Sequence, residues 1–253
     1  MIAAQILSLT RRRVLMGSAA ILPLVTVLIV IVIRVLLHSN SPVQHERAGG
    51  GAGYDATLQG VNGIVGLIAV VLGATVGSCD AFSGVIRDLI STGRSRTRLV
   101  LERLPAPVLV AVASSALGLL ASLAAGAIVS GDQALPSLGA IARDLAGLAL
   151  VTSTLAVIAC GIASLIGSRG ITIGVILGWL LLGETALTFA LKAFSEGSQG
   201  VLLSAAQTRV QDAITGGPQT APAISLALAI SALAAWVAVS VGLGAFRTAR
   251  KEW

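Results

Sequence analysis

Six long stretches of this chain contain almost no charged side chain, at approximately 14–37, 61–82, 105–130, 145–166, 171–191 and 223–246. A helix needs roughly 20 apolar residues to cross a hydrocarbon core about 30 Å thick. Only helices and closed barrels satisfy every backbone polar group inside lipid, and runs of this length favour helices. We therefore expect an all-α integral membrane protein, with six transmembrane helices in a single domain that covers residues 1–253.

The composition excludes most water-soluble classes of protein. Hydrophobic residues make up 55% of the chain and charged residues only 11%, whereas soluble domains contain about 25% charged residues. The net charge of +6 does not indicate nucleic-acid binding, because the basic residues cluster at the ends of apolar runs and aromatic residues total 3%. The expected partner of most of the surface is therefore the lipid bilayer.

The N-terminal segment permits two interpretations. Arg11, Arg12 and Arg13 before an apolar run resemble the basic region of a secretory or twin-arginine signal. The run continues past twenty residues without a clear small-x-small cleavage site, which favours an uncleaved first span. Apolar residues recur at helical spacing before it, so residues 1–13 are expected to form an interfacial amphipathic helix, with a frayed terminus as the alternative.

Orientation follows from the positions of the basic residues, because Lys and Arg are retained on the cytoplasmic side of a membrane. With the N-terminus inside, twelve of the 17 basic residues fall in cytoplasmic segments. We therefore expect a multi-pass protein of the plasma membrane with both termini in the cytoplasm.

Small residues recur every four positions on two spans. They are Ser114, Gly118, Ser122 and Gly126 on the third span, and Gly170, Gly174 and Gly178 on the fifth. Such stripes allow helix backbones to approach closely, which is a main source of helix association in lipid. Contacts within the chain are the favoured interpretation, and contacts between two copies are the alternative.

The connection after the second span has its own helical pattern. Val85, Ile86, Leu89 and Ile90 share one face of a helix, while Arg87 and Asp88 point elsewhere. A glycine at position 93 is a typical helix end, and a basic turn follows it. Residues 83–98 are therefore expected to form a short amphipathic helix and a turn. The alternative is a basic inner loop that only fixes the topology.

This connection resembles the cytoplasmic coupling helix of ABC-2 type transporter permeases. The residues that carry the resemblance are Asp80, Gly84, Leu89-Ile90, Gly93-Arg94-Ser95-Arg96 and Arg103. The chain departs from the family pattern in three respects: an aspartate replaces the common glutamate, a glycine replaces the frequent turn proline, and Arg103 replaces the usual lysine. The resemblance extends more loosely to the six spans and to a long outer connection between spans 5 and 6, where the family has short helices that cap the pathway.

The resemblance implies a transport subunit that is not itself an enzyme. No GxxxxGK[ST] phosphate-binding loop occurs in this sequence, so ATP and Mg²⁺ would be bound by a separate nucleotide-binding ATPase subunit, and no cofactor is expected in this chain. The residues expected to contact that subunit are Val85, Ile86, Arg87, Asp88, Leu89, Ile90 and Arg94. A second copy of the permease would complete a homodimer that exports a hydrophobic or amphipathic compound such as a drug, lipid or peptide.

Few ionisable residues fall inside a span, where a charge is costly. Glu184 lies fifteen positions after Arg169, in the outer half of the fifth span. It has three candidate roles: to line an exit pathway together with Trp179, to cap a broken helix, or to pair with a base such as Arg34. A structural role is favoured over substrate binding.

Other chemistry has weaker support in the sequence. The segment from Ser39 to Tyr54 is glycine-rich and is expected to be flexible, so the histidines in and beside it do not predict a metal site. Two cysteines, Cys79 and Cys160, are expected to be packing residues. The rival functions are a secondary transporter driven by an ion gradient and a noncatalytic membrane scaffold.

Overall fold

A computed structural model describes residues 13–41, 49–83, 100–131, 133–192, 198–216 and 224–250. Within these ranges the chain is helical and has no strand. Four long helices come first: α1 (Arg13–Asn40), α2 (Gly50–Ser83), α3 (Pro105–Val129) and α4 (Leu138–Ile166). They are followed by α5 (Arg169–Gly178), a π-helical turn (Trp179–Gly183), α6 (Glu184–Lys192), a 3₁₀ turn (Ser198–Val201), α7 (Leu203–Thr215) and α8 (Leu226–Arg250).

Six of these helical segments are long and apolar enough to cross a membrane. They are α1, α2, α3, α4, the continuous stretch from α5 to α6, and α8. Each overlaps one of the runs expected from the sequence. The chain is therefore a multi-pass membrane protein. Its near end is defined here as the end where α1 begins at Arg13 and α8 finishes at Arg250, and its far end as the opposite one.

Two helices begin earlier than the hydropathy of the sequence indicated. Helix α2 begins at Gly50 rather than near residue 61, and α4 begins at Leu138 rather than near residue 145. The expectation that the chain is flexible up to Tyr54 was wrong for residues 50–54. Polar residues are tolerated in this extension because protein surrounds it: Tyr54 is 1% exposed and Thr57 is fully buried.

The centre of the bundle is the packing of α2 against α4. In the most apolar window of α2 67% of the residues are buried, and in that of α4 56% are, against 11% in the window of α1 and in that of α5–α6. Glycine allows the central contact, because a Cβ at Gly73 would overlap the backbone carbonyl of Ala156. Helices α1 and α5–α6 therefore lie at the edge of the bundle, where lipid covers most of their surface.

Polar contacts fasten the far end of the bundle. Arg34 of α1 donates from Nη1 to the carbonyl oxygen of Ala52 at 3.0 Å. The Tyr54 hydroxyl of α2 donates to Oδ2 of Asp144, in α4, at 2.8 Å. Such bonds join helices where close contact with lipid tails would leave the polar groups unsatisfied. Three helices are therefore held in register at this end.

The small-residue stripe of α3 lies against α1 and α2. The Ser114 hydroxyl donates to the carbonyl oxygen of Ala19 in α1. A Cβ at Gly118 would lie 2.5 Å from Cγ1 of Val61 and 3.2 Å from Cβ of Pro23. This stripe therefore makes contacts within the chain, as the favoured interpretation of the sequence expected.

The small-residue stripe of α5 has a different environment. Gly170, Gly174 and Gly178 are exposed, and a Cβ at any of them would meet no heavy atom within 4 Å. The bulky neighbours Ile171 and Val175 are also exposed, at 60% and 50%. Within the described chain this stripe has no helix packed against it.

Helix α7 is short, amphipathic and inserted between longer helices. It buries Leu203, Ala206, Gln207 and Val210, which have the i, i+3, i+4, i+7 spacing of one helical face. This face packs against α4 and α8. The helix ends at Gly216, whose φ of 71° is a left-handed conformation that glycine adopts without strain.

Candidate functional site

The residues expected to contact an ATPase subunit lie outside the described residues. Val85, Ile86, Arg87, Asp88, Leu89, Ile90 and Arg94 all fall between the described segments that end at Ser83 and begin at Val100. Both flanking segments are at the near end of the bundle. Arg103, which also belongs to the sequence resemblance, is 7% exposed there, just before α3.

The fifth span is broken where the sequence has Trp179 and Glu184. The backbone N–H of Glu184 donates to the carbonyl oxygen of Trp179, five residues earlier, which is the hydrogen bond of a π helix. A π turn holds one more residue than an α turn, so it changes which side chains beyond it face the bundle. Buried Thr172, Ile176 and Glu184, with partly buried Leu180 between them, thus share an inward face at four-residue spacing.

Glu184 binds the first turn of α7. Its side chain is 3% exposed, and its carboxyl oxygens accept the backbone N–H of Ser204 at 3.0 and 3.3 Å. The N-cap residue of α7, Leu202, offers no side-chain acceptor of its own. A carboxylate at a helix N-terminus stabilises the unpaired N–H groups and the helix dipole by about 0.3–2 kcal/mol. Glu184 therefore caps a helix that lies twenty residues further along the chain.

Two tryptophans lie beside this contact. The rings of Trp179 and Trp236 have centroids 5.7 Å apart and are tilted by 53°. Trp236, in α8, donates from Nε1 to the carbonyl oxygen of Val201 at 3.0 Å. The Nε1 of Trp179 is buried and has no hydrogen-bond partner among the described residues. The chain entering α7 is thus held from α6 by Glu184 and from α8 by Trp236.

Helix α7 begins deep in the bundle at this point and runs outward. Gln207 donates from Nε2 to the carbonyl oxygen of Val151 at 3.5 Å, and Val151 lies near the middle of the 29-residue α4. At its other end, Gly216 lies close to Arg143, near the start of α4. The segment between the fifth and sixth spans therefore dips to about half the depth of α4 and returns to the far end.

A second feature is an apolar groove between α1 and α3. It has a volume of about 320 Å³, and its walls include Met16, Ala19 and Ala20 of α1 together with Leu109 and Ala113 of α3. Both helices face lipid along this side, since much of α1 is exposed. The groove is suited to a hydrocarbon group and offers almost no hydrogen-bonding atoms.

Metal chemistry has no support in the part of the chain that the structure describes, where no group of three His, Cys, Asp or Glu side chains is close enough to hold an ion. No protein-family model and no curated protein matches this sequence. The function must therefore be argued from the residues and their arrangement.

The sequence singled out two members of this site and missed three. Glu184 and Trp179 stood out as an intramembrane acid and a neighbouring aromatic residue. The carboxyl group of Glu184 caps α7 rather than the broken fifth span, and Arg34 bonds to Ala52 rather than to Glu184. Ser204, Gln207 and Trp236 were not identified, because their roles depend on helices that meet only in the fold.

Proposed function

We propose that this chain is the permease subunit of an ATP-driven exporter. The observation that carries the proposal is the pattern from Asp80 to Arg103 between the second and third membrane-spanning helices. It combines an amphipathic helical repeat with a basic turn, in the connection where ABC-2 type permeases have their coupling helix. The six-helix membrane architecture is compatible with that assignment.

The energy for transport would come from a partner. With no phosphate-binding loop in its sequence, the permease depends on a separate ATPase subunit that binds ATP and Mg²⁺. Closure of that subunit would push the near-end connection, with Arg87, Asp88 and Arg94 as polar contacts and Leu89 as an apolar one. The motion would be a rigid-body displacement that rocks the permease against its neighbour.

The cargo is proposed to be hydrophobic or amphipathic. The groove between α1 and α3 opens toward lipid and has apolar walls, so a molecule dissolved in the bilayer reaches it without crossing water. A polar solute would lose hydrogen bonds with water there and gain almost none. A lipid, a drug or an apolar peptide fits this environment.

A second copy of the permease is proposed to pack on α5. The stripe of Gly170, Gly174 and Gly178 is exposed and open, and stripes of this kind allow two helix backbones to approach closely in lipid. Packing there would join two permeases along their fifth spans. The groove between α1 and α3 would be left accessible to lipid.

A transporter driven by an ion gradient is the second candidate. Glu184 is buried beside a broken helix, and secondary transporters place ionisable groups at such discontinuities. The exporter is preferred because the carboxyl group of Glu184 already accepts the Ser204 N–H. In purified proteoliposomes, gradient-driven uptake by the chain alone, abolished in Glu184→Gln, would favour this second candidate.

Copurification from native membranes tests the proposed function. Mild solubilisation of the tagged full chain should recover a soluble ATPase subunit, identified by mass spectrometry and by ATP hydrolysis in the eluate. Recovery of the intact permease without any ATPase, in several detergents and in polymer-extracted membrane, contradicts the proposal.

Charge placed on the near-end connection should break the complex. Leu89→Asp and Arg87→Glu are expected to lower the recovered ATPase about tenfold or more, because a buried or paired group at an interface loses its partner. Leu135→Asp is the matched control, since Leu135 is 50% exposed in the far-end connection between α3 and α4. Equal recovery from all three variants would show that residues 85–90 do not bind the ATPase.

A further inference from the structure

The cap on α7 is formed by a side chain from another membrane-spanning segment. A helix of 13 residues has four backbone N–H groups at its start without partners in the helix. A Ser, Thr, Asp or Asn side chain at the N-cap can accept one of them, but α7 has Leu202 at this position. The acceptor is supplied instead by Glu184, at the first residue of α6.

Other contacts hold α7 in the same place. Its apolar face buries Leu203, Ala206 and Val210, and Gln207 donates to the carbonyl oxygen of Val151 at 3.5 Å. Arg209 donates from Nε to the carbonyl oxygen of Ile224, just before α8 begins, at 3.0 Å. Glu184 thus supplies a carboxyl group that holds the first turn of α7.

The position of α7 gives this cap a consequence. The helix fills the cleft between α4 and α8 from the far end to about half the depth of α4. Withdrawal of α7 would expose that cleft and remove the backbone N–H that the carboxyl group of Glu184 accepts. A hydrogen bond to a carboxylate is stronger than one between neutral groups, so the loss of this bond disfavours the open state.

We propose that Glu184 is a latch that keeps α7 inserted between α4 and α8, so that breaking its bond to Ser204 opens the far end of the bundle. The π turn belongs to the same device, because it directs Glu184 inward at the level of the first turn of α7. In the exporter proposed above the latched state is the resting one. The inference goes beyond that function, because it concerns only contacts within this chain.

The test measures how often α7 leaves its site. Ala206, fully buried on the inner face of α7, is replaced by Cys in the full chain, and Cys79 is replaced by Ser. Membranes from expressing cells are fragmented so that both faces are open, and a water-soluble maleimide is added. When opening and closing are fast compared with the reaction, the labelling rate follows the population of the open state. Native Cys160, buried in α4, reports in the same molecule on general loosening.

Two substitutions remove the two halves of the latch. Glu184→Gln keeps an acceptor oxygen but removes the charge. Ser204→Pro removes the donated N–H at a first-turn position where a helix tolerates proline. Each should raise labelling at position 206 about tenfold or more, the equivalent of losing one charge-assisted hydrogen bond. Labelling of Cys160 should not change. Thr185→Val is the control, because the exposed Thr185 hydroxyl bonds only to Leu181 of its own span.

The double variant distinguishes one shared contact between Glu184 and Ser204 from two independent effects of the substitutions. If Glu184 acts on α7 through Ser204, combining Glu184→Gln with Ser204→Pro should label no faster than the faster single variant. Rates that multiply would overturn the proposal, as would unchanged labelling in both single variants or an equal rise at Cys160. Should Glu184→Gln fail to accumulate, Ser204→Pro alone decides by the same comparison with Cys160. The result does not depend on whether an ATPase copurifies.

Discussion

The stripes of small residues on α3 and α5 look alike in the sequence but have opposite environments. On α3, Gly118 faces Val61 and Pro23 at distances that leave no room for a side chain. On α5, Gly174 is exposed and faces no atom within 4 Å. A spacing of four therefore identifies a surface able to pack closely, while the rest of the fold decides whether a helix of the same chain packs there.

The largest effect on stability is expected on α3, where other helices of the chain pack against the small-residue stripe. Gly118→Leu should prevent stable folding, because its Cβ would already lie 2.5 Å from Val61 and overpacking of this kind costs about 1–3 kcal/mol or more. The measurement is the yield of monodisperse protein and its thermal midpoint in detergent. Gly63→Leu, at an exposed glycine of α2 with no neighbour within 4 Å, should behave like the unmodified protein. Normal stability of Gly118→Leu would mean that α3 does not pack here.

A substitution in the small-residue stripe of α5, which faces no other helix of the described chain, should change dimerisation rather than folding. Gly174→Leu is expected to leave the thermal midpoint of the monomer unchanged and to weaken dimerisation about tenfold, a loss of about 1.4 kcal/mol. Subunit counting by single-molecule photobleaching in lipid bilayers measures the dimer fraction. Gly242→Leu, at an exposed and open glycine of α8, is the control. An unaltered dimer fraction in Gly174→Leu would remove α5 from the proposed interface.

A smaller effect is expected from the hydroxyl group in the filled stripe. Ser114→Ala removes the bond to the Ala19 carbonyl, and side-chain hydrogen bonds between membrane helices contribute about 0.6 kcal/mol on average. Unfolding in mixed micelles should show a loss of that order. Ser231→Ala provides the comparison, because this exposed serine bonds only to Leu228 within α8. A larger loss in Ser231→Ala than in Ser114→Ala would contradict the packing described for α3.

The smallest effect should have the opposite sign. Gly170→Ala adds a methyl group to the open stripe, where it meets nothing within 4 Å, and replacing glycine by alanine in a helix stabilises it by up to about 1 kcal/mol. The monomer should therefore unfold at a slightly higher temperature. A lower midpoint would indicate that the first turn of α5 is already in contact with another surface.

Hydropathy predicted the membrane-spanning helices well and their ends less well. The third span, expected at 105–130, is Pro105–Val129, because proline and charged residues mark its start. The early part of α2 was not predicted because it contains Thr57 and several glycines, whose hydropathy is too low to indicate a membrane-spanning helix. Their burial comes from contact with α3 and α4, and such burial cannot be inferred from the hydropathy of one segment.

The candidate site was only partly accessible from the sequence. An acidic residue inside an apolar run is conspicuous, so Glu184 was identified. Its partner Ser204 lies twenty positions away and contributes only a backbone N–H, which every residue except proline possesses. The π turn has no distinctive composition, since Trp179–Gly183 reads as an ordinary continuation of the span.

The edge position of α1 affects how the protein is made. This helix precedes the other five spans in the sequence, and its bonds and close contacts include Ala52 of α2 and Ser114 and Gly118 of α3. Since α2 makes its most extensive packing with α4, which ends at Ile166, the packing of α2 is incomplete until the fourth helix has been synthesised. During that interval a quality-control protease would meet α2 with its glycine-lined face uncovered. Synthesis of the fourth helix is therefore the step that allows the inserted helices to pack around the centre of the bundle.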